Sequence, residues 1–525
     1  MARDGAPMDT NFYHDWQLRK PVARGGNGVV ASHSRAAAEA GAAVLQAGGN
    51  AIDAAVATSF AVSVVEPWMS GLGGVSFMML YQAEEDRVRC FNGGGIAPQA
   101  LDPADYPLVA GTGGDIFTWP AVQDDRNVHG YHSMAAPGYV DAIGKAWERY
   151  GSMGWAELLG SAVELAGRGL PVNFMTTIRI AAAMKDLRKF PESRRVYLPD
   201  AAVPVPELGR PVPHIPMGNL KATLERLAAA GYRDLYDGDI AAQIALDVDA
   251  GGGSLGAVDL AGYQALEIDP LSRDYGGGTV HAPPGMTAGP TMMHVLDRIE
   301  GRIGNGTPSA DEFTAYATAL ATAYDARFQT MGDVDDSRDP ACTTHLTVID
   351  GKGNMVSLTQ TLLSSFGSKV VLPTTGILMN NGILWFDPVP DRPNSLQPGK
   401  RPLSNMCPVV VSKDGAPWFA IGASGGRRIM PAVMQIVSQV IDGGLSLEEA
   451  FHQPRIDVSG DGRATMDPRL GDDVAAAIEA HMPVFREQKT VYPTAYANLN
   501  AVMRDEDGFV GIGEVMNPVG GAVAG

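Results

Sequence analysis

Thr343 and Thr344 stand at the head of the stretch Cys-Thr-Thr-His-Leu-Thr-Val-Ile-Asp, and the first of them could become a chain terminus. If the Cys342–Thr343 bond is cut, residue 343 carries a hydroxyl nucleophile and its own general base, because a free α-amine has a pKa of about 7.7–8.0. An internal threonine has no such base. Downstream, Gly425-Gly426 precedes a helix, and glycines there expose successive backbone N–H groups suited to stabilising an oxyanion. The chemistry these types can do together is acyl transfer from an amide. On spacing alone, Thr343 and Thr344 are also ordinary β-formers at the start of a strand, where threonine is common.

Positioning such groups requires a hairpin and its neighbours. Leu346, Val348 and Asp350 alternate with Thr347 and Ile349, the turn signal Asp350-Gly351-Lys352-Gly353-Asn354 follows, and Met355 to Thr361 is a second β-rich run. A polar lead-in, Asp335 to Cys342, precedes it, delivered by an amphipathic helix from Ala310 to Met331. Earlier, the pattern predicts a strand over Gly28–Ser32 and a helix over Arg35–Ala47. Asn50 and Asp53 form an N-cap pair for a buried helix that Pro67 stops. Ser70-Gly71-Leu72-Gly73-Gly74 is a tight loop before the strand Val75–Tyr81. It reads as backbone crowding near a core, with no Lys-Ser/Thr to make it a phosphate loop.

Residues from Asp102 to Pro137, including Gly111-Thr112-Gly113-Gly114, read as loop, and His129 and His132 there lack a metal-ligand pattern. Helices are expected over Tyr139–Tyr150, Trp155–Arg168, Leu220–Ala230 and Gly238–Asp249, with Phe190–Pro216 a proline-rich connection. Val370–Val371 and Gly376–Asn380 continue the β character. Further hairpins fall at Pro408–Ala423 and, closing the fold, Asn498–Ile512; Arg427–Ile441 is a helix, and Ser446 with Glu449 forms a capping box.

The 525 residues carry 59 acidic against 40 basic side chains, a net charge of −19, and no Lys/Arg-rich run, which argues against nucleic acid or an anionic membrane as partner. Hydrophobic residues at 45% describe a chain with ample core. No run of eighteen apolar residues offers a membrane span, and the first residues show no secretory h-region. Three cysteines without CxxC spacing fit a reducing, cytoplasmic location. No repeat or long linker divides the chain.

The blocks TTHLTVIDGKGNMVSLTQT, TTGILMNNGILWFDP, GKRPLSNMCP and GASGGRRI resemble the small-subunit motifs of the gamma-glutamyltransferase family, and GGNAIDAAVATSFAVSVVEPWMSGLGG resembles its large-subunit signature. The resemblance runs from about Gly28 to the carboxyl end. It implies an N-terminal nucleophile hydrolase, an α+β protein with a four-layer αββα sandwich. The expected precursor cleaves itself between Cys342 and Thr343 into a large-subunit part (1–342) and a small-subunit part (343–525), which together make one interwoven domain. It further implies Thr343 as nucleophile, Thr361 as the threonine that orients it, and the N–H groups of Gly425 and Gly426 as the oxyanion hole. No metal and no cofactor are implied. Partners are a small-molecule amide and the two subunits of the precursor, with a homodimer of that heterodimer left open.

At the substrate positions the sequence departs from the family. Gly94 stands where the family has its carboxylate-binding arginine, Leu363 where it has an asparagine, and Trp385 where an aspartate grips the α-ammonium. Ser404 is kept in the serine pair, but the second serine is Asn405. A free α-amino acid therefore loses its charged clamp, and an unpaired buried ammonium costs several kcal/mol. The resemblance then points to amidohydrolases that do not act on glutamyl groups, the oxamate amidohydrolase type and, less closely, cephalosporin acylases. Arg427 reads either as binding a small carboxylate or as a surface helix charge, and Trp385 as a pocket wall or a core anchor. The expected function is hydrolysis of a small carboxylate-bearing, oxamate-like amide through a threonyl acyl-enzyme. The alternatives are a gamma-glutamyl hydrolase or transferase acting on glutathione-like amides, and a catalytically silent homologue with a binding role.

Overall fold

The computed structural model describes residues 18–113, 119–331, 342–460, 462–487 and 496–525. The lead-in before Cys342, Gly114 and the first seventeen residues, all read in sequence above, lie outside them.

Two seven-stranded antiparallel sheets stack face to face. Across the first run Gly521–Ala524, Gly28–Ser32, Cys342–Asp350, Met355–Leu363, Val75–Gln82, Arg87–Gly93 and Leu266–Ile268. Across the second run Ala23–Gly25, Gly508–Gly513, Asn498–Asp505, Ala416–Ser424, Val409–Lys413, Gly278–Ala282 and Leu271–Tyr275. Both sheets take strands from either side of position 342/343. Period-two alternation sorts their side chains into layers. Leu346, Val348, Val356 and Leu358 face the helices Arg35–Gln46, Ala51–Val65 and Tyr139–Tyr150. Ile349, Met355, Met79 and Tyr81 meet Val410, Ala420 and Val502 between the sheets. The outer face of the second sheet packs on Gly289–Ile299, Ala310–Met331 and Ile429–Ile441. The architecture is the four-layer αββα sandwich of N-terminal nucleophile hydrolases.

The helix Ala51–Val65 is buried along its whole length, as a helix with apolar residues on every face must be. Asn50 Oδ1 accepts from the N–H groups of Ile52 and Asp53, and Asp53 Oδ2 accepts from Asn50 N–H, which completes the expected capping box. Its first N–H, that of Ala51, donates to Asp350 Oδ2 at 3.0 Å. The other Asp350 oxygen accepts from Lys352 and Asn354 N–H, so one carboxylate closes the hairpin turn and holds it against the helix.

Four readings need correction. The helix expected over Trp155–Arg168 breaks at Leu159 into Trp155–Leu158 and Gly160–Arg168, glycine being a poor interior residue. The connection Phe190–Pro216 contains a helix, Pro191–Tyr197, because proline suits its first turn. Val371 and Leu378 form an isolated bridge rather than strands. The Asn498–Asp505 hairpin does not end the fold, since Gly521–Ala524 follows and joins the other sheet beside Gly28–Ser32. A fourteen-residue helix, Phe174–Leu187, adds to those expected.

The sheets approach closely where His345 meets Gly422: a Cβ on Gly422 would stand 2.3 Å from His345 Cε1. His345 is fully buried, and burial holds its imidazole neutral, with Nδ1 2.9 Å from Thr359 Oγ1. Gly422→Ala should therefore overpack the interface and cost about 1–3 kcal/mol, read as a lower urea midpoint with an unchanged m-value.

Candidate active site

The Cys342–Asp350 strand begins with an irregularity. Cys342 pairs with Leu363, yet Thr344 pairs with Gln360, so Thr361 and Leu362 of the Met355–Leu363 strand bulge opposite the single residue Thr343. Bulges re-aim a side chain where regular pairing would fix it. Thr343 is 4% exposed, and its Oγ1 donates to Thr361 Oγ1 at 3.3 Å. Thr361 Oγ1 in turn accepts the Leu363 N–H at 2.8 Å. Leu363 has φ +86, a conformation that is rare for a branched aliphatic residue and stores strain of order 1–3 kcal/mol.

Thr344 points to the other face, where its hydroxyl donates to Glu66 Oε2 at 3.1 Å. Glu66 follows the last residue of the helix Ala51–Val65 and is fully buried. Burial pushes its carboxyl up to about 7, offset in part by the Thr344 hydroxyl and the positive charge of Arg179. Sequence reasoning passed over Glu66, although an acidic residue between Val65 and Pro67, within an apolar run, was the available signal.

Gly425 and Gly426 leave the strand Ala416–Ser424 at the same end of the sandwich. Ser32 pairs with Leu346, which brings the next residue, His33, level with the start of the Thr343 strand, and Ser424 Oγ lies 3.5 Å from His33 Nδ1. Gly425 has φ +139 and its missing Cβ would stand 3.0 Å from Ala497 Cα, so glycine is required twice over. Among the described residues neither glycine N–H is used by a neighbouring backbone carbonyl. A short 3-10 turn, Gly426–Arg428, comes before the helix proper at Ile429. The Arg427 guanidinium stacks 5.1 Å above the Phe328 ring, so this half-buried residue is not a free surface charge.

The substrate-position residues fall in three places. Leu363 and Trp385 belong to one buried apolar cluster with Val75, Phe77 and Met406. Val75 pairs with Thr361 and Phe77 with Thr359, so the cluster adjoins the hydroxyl pair on the inter-sheet face. Trp385 is 7% exposed, and its carbonyl accepts from Asn394 Nδ2. Ser404 and Asn405 immediately precede Met406 and are held by Arg327, which donates to Ser404 O at 2.9 Å and Asn405 Oδ1 at 3.0 Å. Gly94 is buried, and an arginine does stand beside it: Arg401 Nη1 donates to Gly94 O at 2.7 Å and lies 3.7 Å from where a Gly94 Cβ would be. Arg401 also donates to Gln264 O and stacks on Tyr263. Sequence reasoning missed both Arg401 and Arg327. The first sits inside the quoted GKRPLSNM block, and the second is a lone cation near the end of a helix.

A family model described as gamma-glutamyltranspeptidase matches residues 37–342 and 334–523. The chain is 31% identical over 543 residues to the acylase ACY 1 proenzyme of Pseudomonas sp. (strain SE83), covering 96% of this chain and 94% of that protein. It is 30% identical over 487 residues to the glutathione hydrolase proenzyme of Escherichia coli (strain K12), covering 82% and 81%. In fold it is similar to a cephalosporin acylase from Bacillus halodurans, with a TM-score of 0.84 at 25% identity over 99% of both chains.

The Glu66 geometry fixes a pH dependence. Its folded-state pKa lies above the ordinary 4.5, so its contribution to stability is greatest below about 4.5 and declines as pH rises toward 7. Glu66→Gln should remove this decline. Urea midpoints at pH 5 and pH 8 should converge in the variant relative to wild type, by up to about 3 kcal/mol in stability.

Proposed function

The chain belongs to the gamma-glutamyltranspeptidase family, and from that premise we propose that it is a self-cleaving amidohydrolase with Thr343 as its nucleophile, acting on a small carboxylate-bearing amide of the oxamate kind. The observation that carries the reading is the Thr343–Thr361 hydroxyl pair at a strand bulge, bordered by an apolar wall where an α-ammonium would need an acid. Relatives named acylase and glutathione hydrolase proenzymes support a processed precursor that cleaves an amide.

In the precursor, Thr343 Oγ attacks the Cys342 carbonyl carbon, the C–N bond breaks, and the acyl group moves from nitrogen to oxygen. Water then hydrolyses the ester, leaving a carboxylate on Cys342 and a free α-amine on Thr343. In catalysis that amine takes the Oγ proton as the oxygen attacks the substrate carbonyl. The N–H groups of Gly425 and Gly426 stabilise the tetrahedral oxyanion, each such donor contributing about 2.7–4 kcal/mol. The amine returns the proton to the departing nitrogen, and then activates the water that resolves the acyl-enzyme. Thr361 orients the nucleophile. Residues 1–342 and 343–525 are the two subunits, and they stay together because the sheets interlace them.

The wall of Leu363, Trp385, Phe77 and Met406 offers an ammonium no acceptor, which disfavours gamma-glutamyl amides. Cys90 and Cys407 are free and buried, a sparse and unpaired cysteine usage that supports a reducing, cytoplasmic location. Among the described residues no helix is long and apolar enough to cross a membrane.

Denaturing gels and intact mass on wild type beside Thr343→Ala test the reading. Wild type should yield two fragments meeting at Cys342/Thr343, and the variant one 55.2 kDa chain. Cleaved wild type should release ammonia from oxamate and leave gamma-glutamyl-p-nitroanilide largely intact. Rapid turnover of the anilide would favour the gamma-glutamyl alternative, and an uncut wild type would defeat the nucleophile assignment.

A further inference from the structure

We infer that Arg327 is a positioning residue for the substrate: it fixes the Asn405 amide so that the wall formed by Ser404 and Asn405 presents hydrogen-bond donors, and so selects an acyl group bearing a carboxylate. The inference rests on the proposed role of Ser404 and Asn405 as substrate-lining residues.

Arg327 is 2% exposed and lies near the end of the helix Ala310–Met331. Its Nη1 donates to Thr287 O at 2.8 Å and Thr291 Oγ1 at 3.3 Å, and its Nη2 to Ser404 O and Asn405 Oδ1. A guanidinium donates and never accepts, so it determines which way the amide faces: oxygen inward to Arg327, Nδ2 outward. Among the described residues Asn405 makes no other side-chain hydrogen bond, and its amide N–H groups are left for a ligand. Ser404 Oγ accepts the Met406 N–H at 3.2 Å, which leaves its own hydroxyl hydrogen to donate.

The next residue, Met406, packs with Leu363 and Trp385, so the donors stand at the border of the apolar cluster. A carboxylate accepts from both side chains of such a wall, whereas an ammonium would find there only the remaining lone pair of Ser404 Oγ. A lysine at position 327 cannot reproduce the arrangement, because the planar fork reaches four acceptors on two segments from fixed directions.

The test uses self-cleaved protein, oxamate as the kinetic probe and oxalate as the binding probe in calorimetry. Asn405→Asp keeps an acceptor for Arg327 but turns a carboxylate oxygen toward the ligand. Arg327→Lys keeps the charge and loses the fork. Each should raise KM for oxamate and the Kd of oxalate about tenfold or more, with KM carrying most of the loss in kcat/KM. The double variant should be no weaker than the weaker single one, because both changes act on one hydrogen bond. Additive losses overturn the inference, as does an Arg327→Lys loss carried by kcat with oxalate affinity unchanged. Should Arg327→Lys not fold, Asn405→Asp still decides, and unaltered oxalate affinity in it counts against the proposal. A wild type that binds oxalate without hydrolysing oxamate sinks the substrate reading alone. One that binds no oxalate sinks this inference.

Discussion

One helix and one strand are fastened to each other at both ends, and the rest of the molecule is arranged around that pair. Ala51–Val65 has fifteen residues, about 22 Å at 1.5 Å per residue, and Cys342–Asp350 has nine, close to 30 Å at about 3.3 Å per residue. The Asp350 carboxylate receives the first helical N–H at one end, and Thr344 donates to Glu66 just past the helix at the other. Gln360, on the neighbouring strand, donates to Ser59 O and Ser63 Oγ on the same helix and to Ser70 Oγ in the loop that follows it. Thr343 therefore projects from a strand whose register and height are set independently of anything in the pocket. Preorganisation of that kind is what a nucleophile needs to meet a carbonyl without reorganising.

The pocket side of the same strand obeys a different constraint. Its near wall continues the inter-sheet core through Val75, Phe77 and Leu363, and the polar groups come from the Ser404–Asn405 segment, outside either sheet. On the proposed assignment, chemistry and specificity are carried by separate elements. The first is built into paired strands, where a change is felt by the whole sandwich. The second is carried by a connecting segment pinned by one buried guanidinium, where sequence can drift with less effect on the fold.

Local patterns are legible in the amino-acid sequence: the hairpin at Asp350–Asn354, the Asn50–Asp53 cap and the Ser446–Glu449 capping box all form as read, while the glycine pair leads first into a 3-10 turn and the helix expected from Arg427 begins at Ile429. Each is decided within a few residues by turn chemistry or capping. What escapes are single charges whose partners are remote in sequence, Glu66 and Thr344 being 278 positions apart and Arg327 and Asn405 78. The helix Phe174–Leu187 is obscured by the β-branched run Thr176-Thr177-Ile178, a case of tertiary packing overriding propensity. Gly521–Ala524 is four residues with glycine at its start, too short to announce a strand without the edge it pairs with.

The threading of both sheets across position 342/343 also dictates an order of events in the life of the molecule. The Cys342–Asp350 strand lies between Gly28–Ser32 from one side of the cut and Met355–Leu363 from the other, and Val75–Gln82 borders the latter. A piece made alone would expose long, apolar, unpaired edges, the surfaces on which chains aggregate. On the proposed cleavage at Cys342/Thr343, scission must follow folding, and the uncut linkage would serve as a built-in chaperone discarded once it has done its work. Thereafter the molecule has no short road back: a heated, separated pair faces a two-body search that the newborn chain never had to make. Its durability is that of a lock closed once, a matter of kinetics more than of equilibrium.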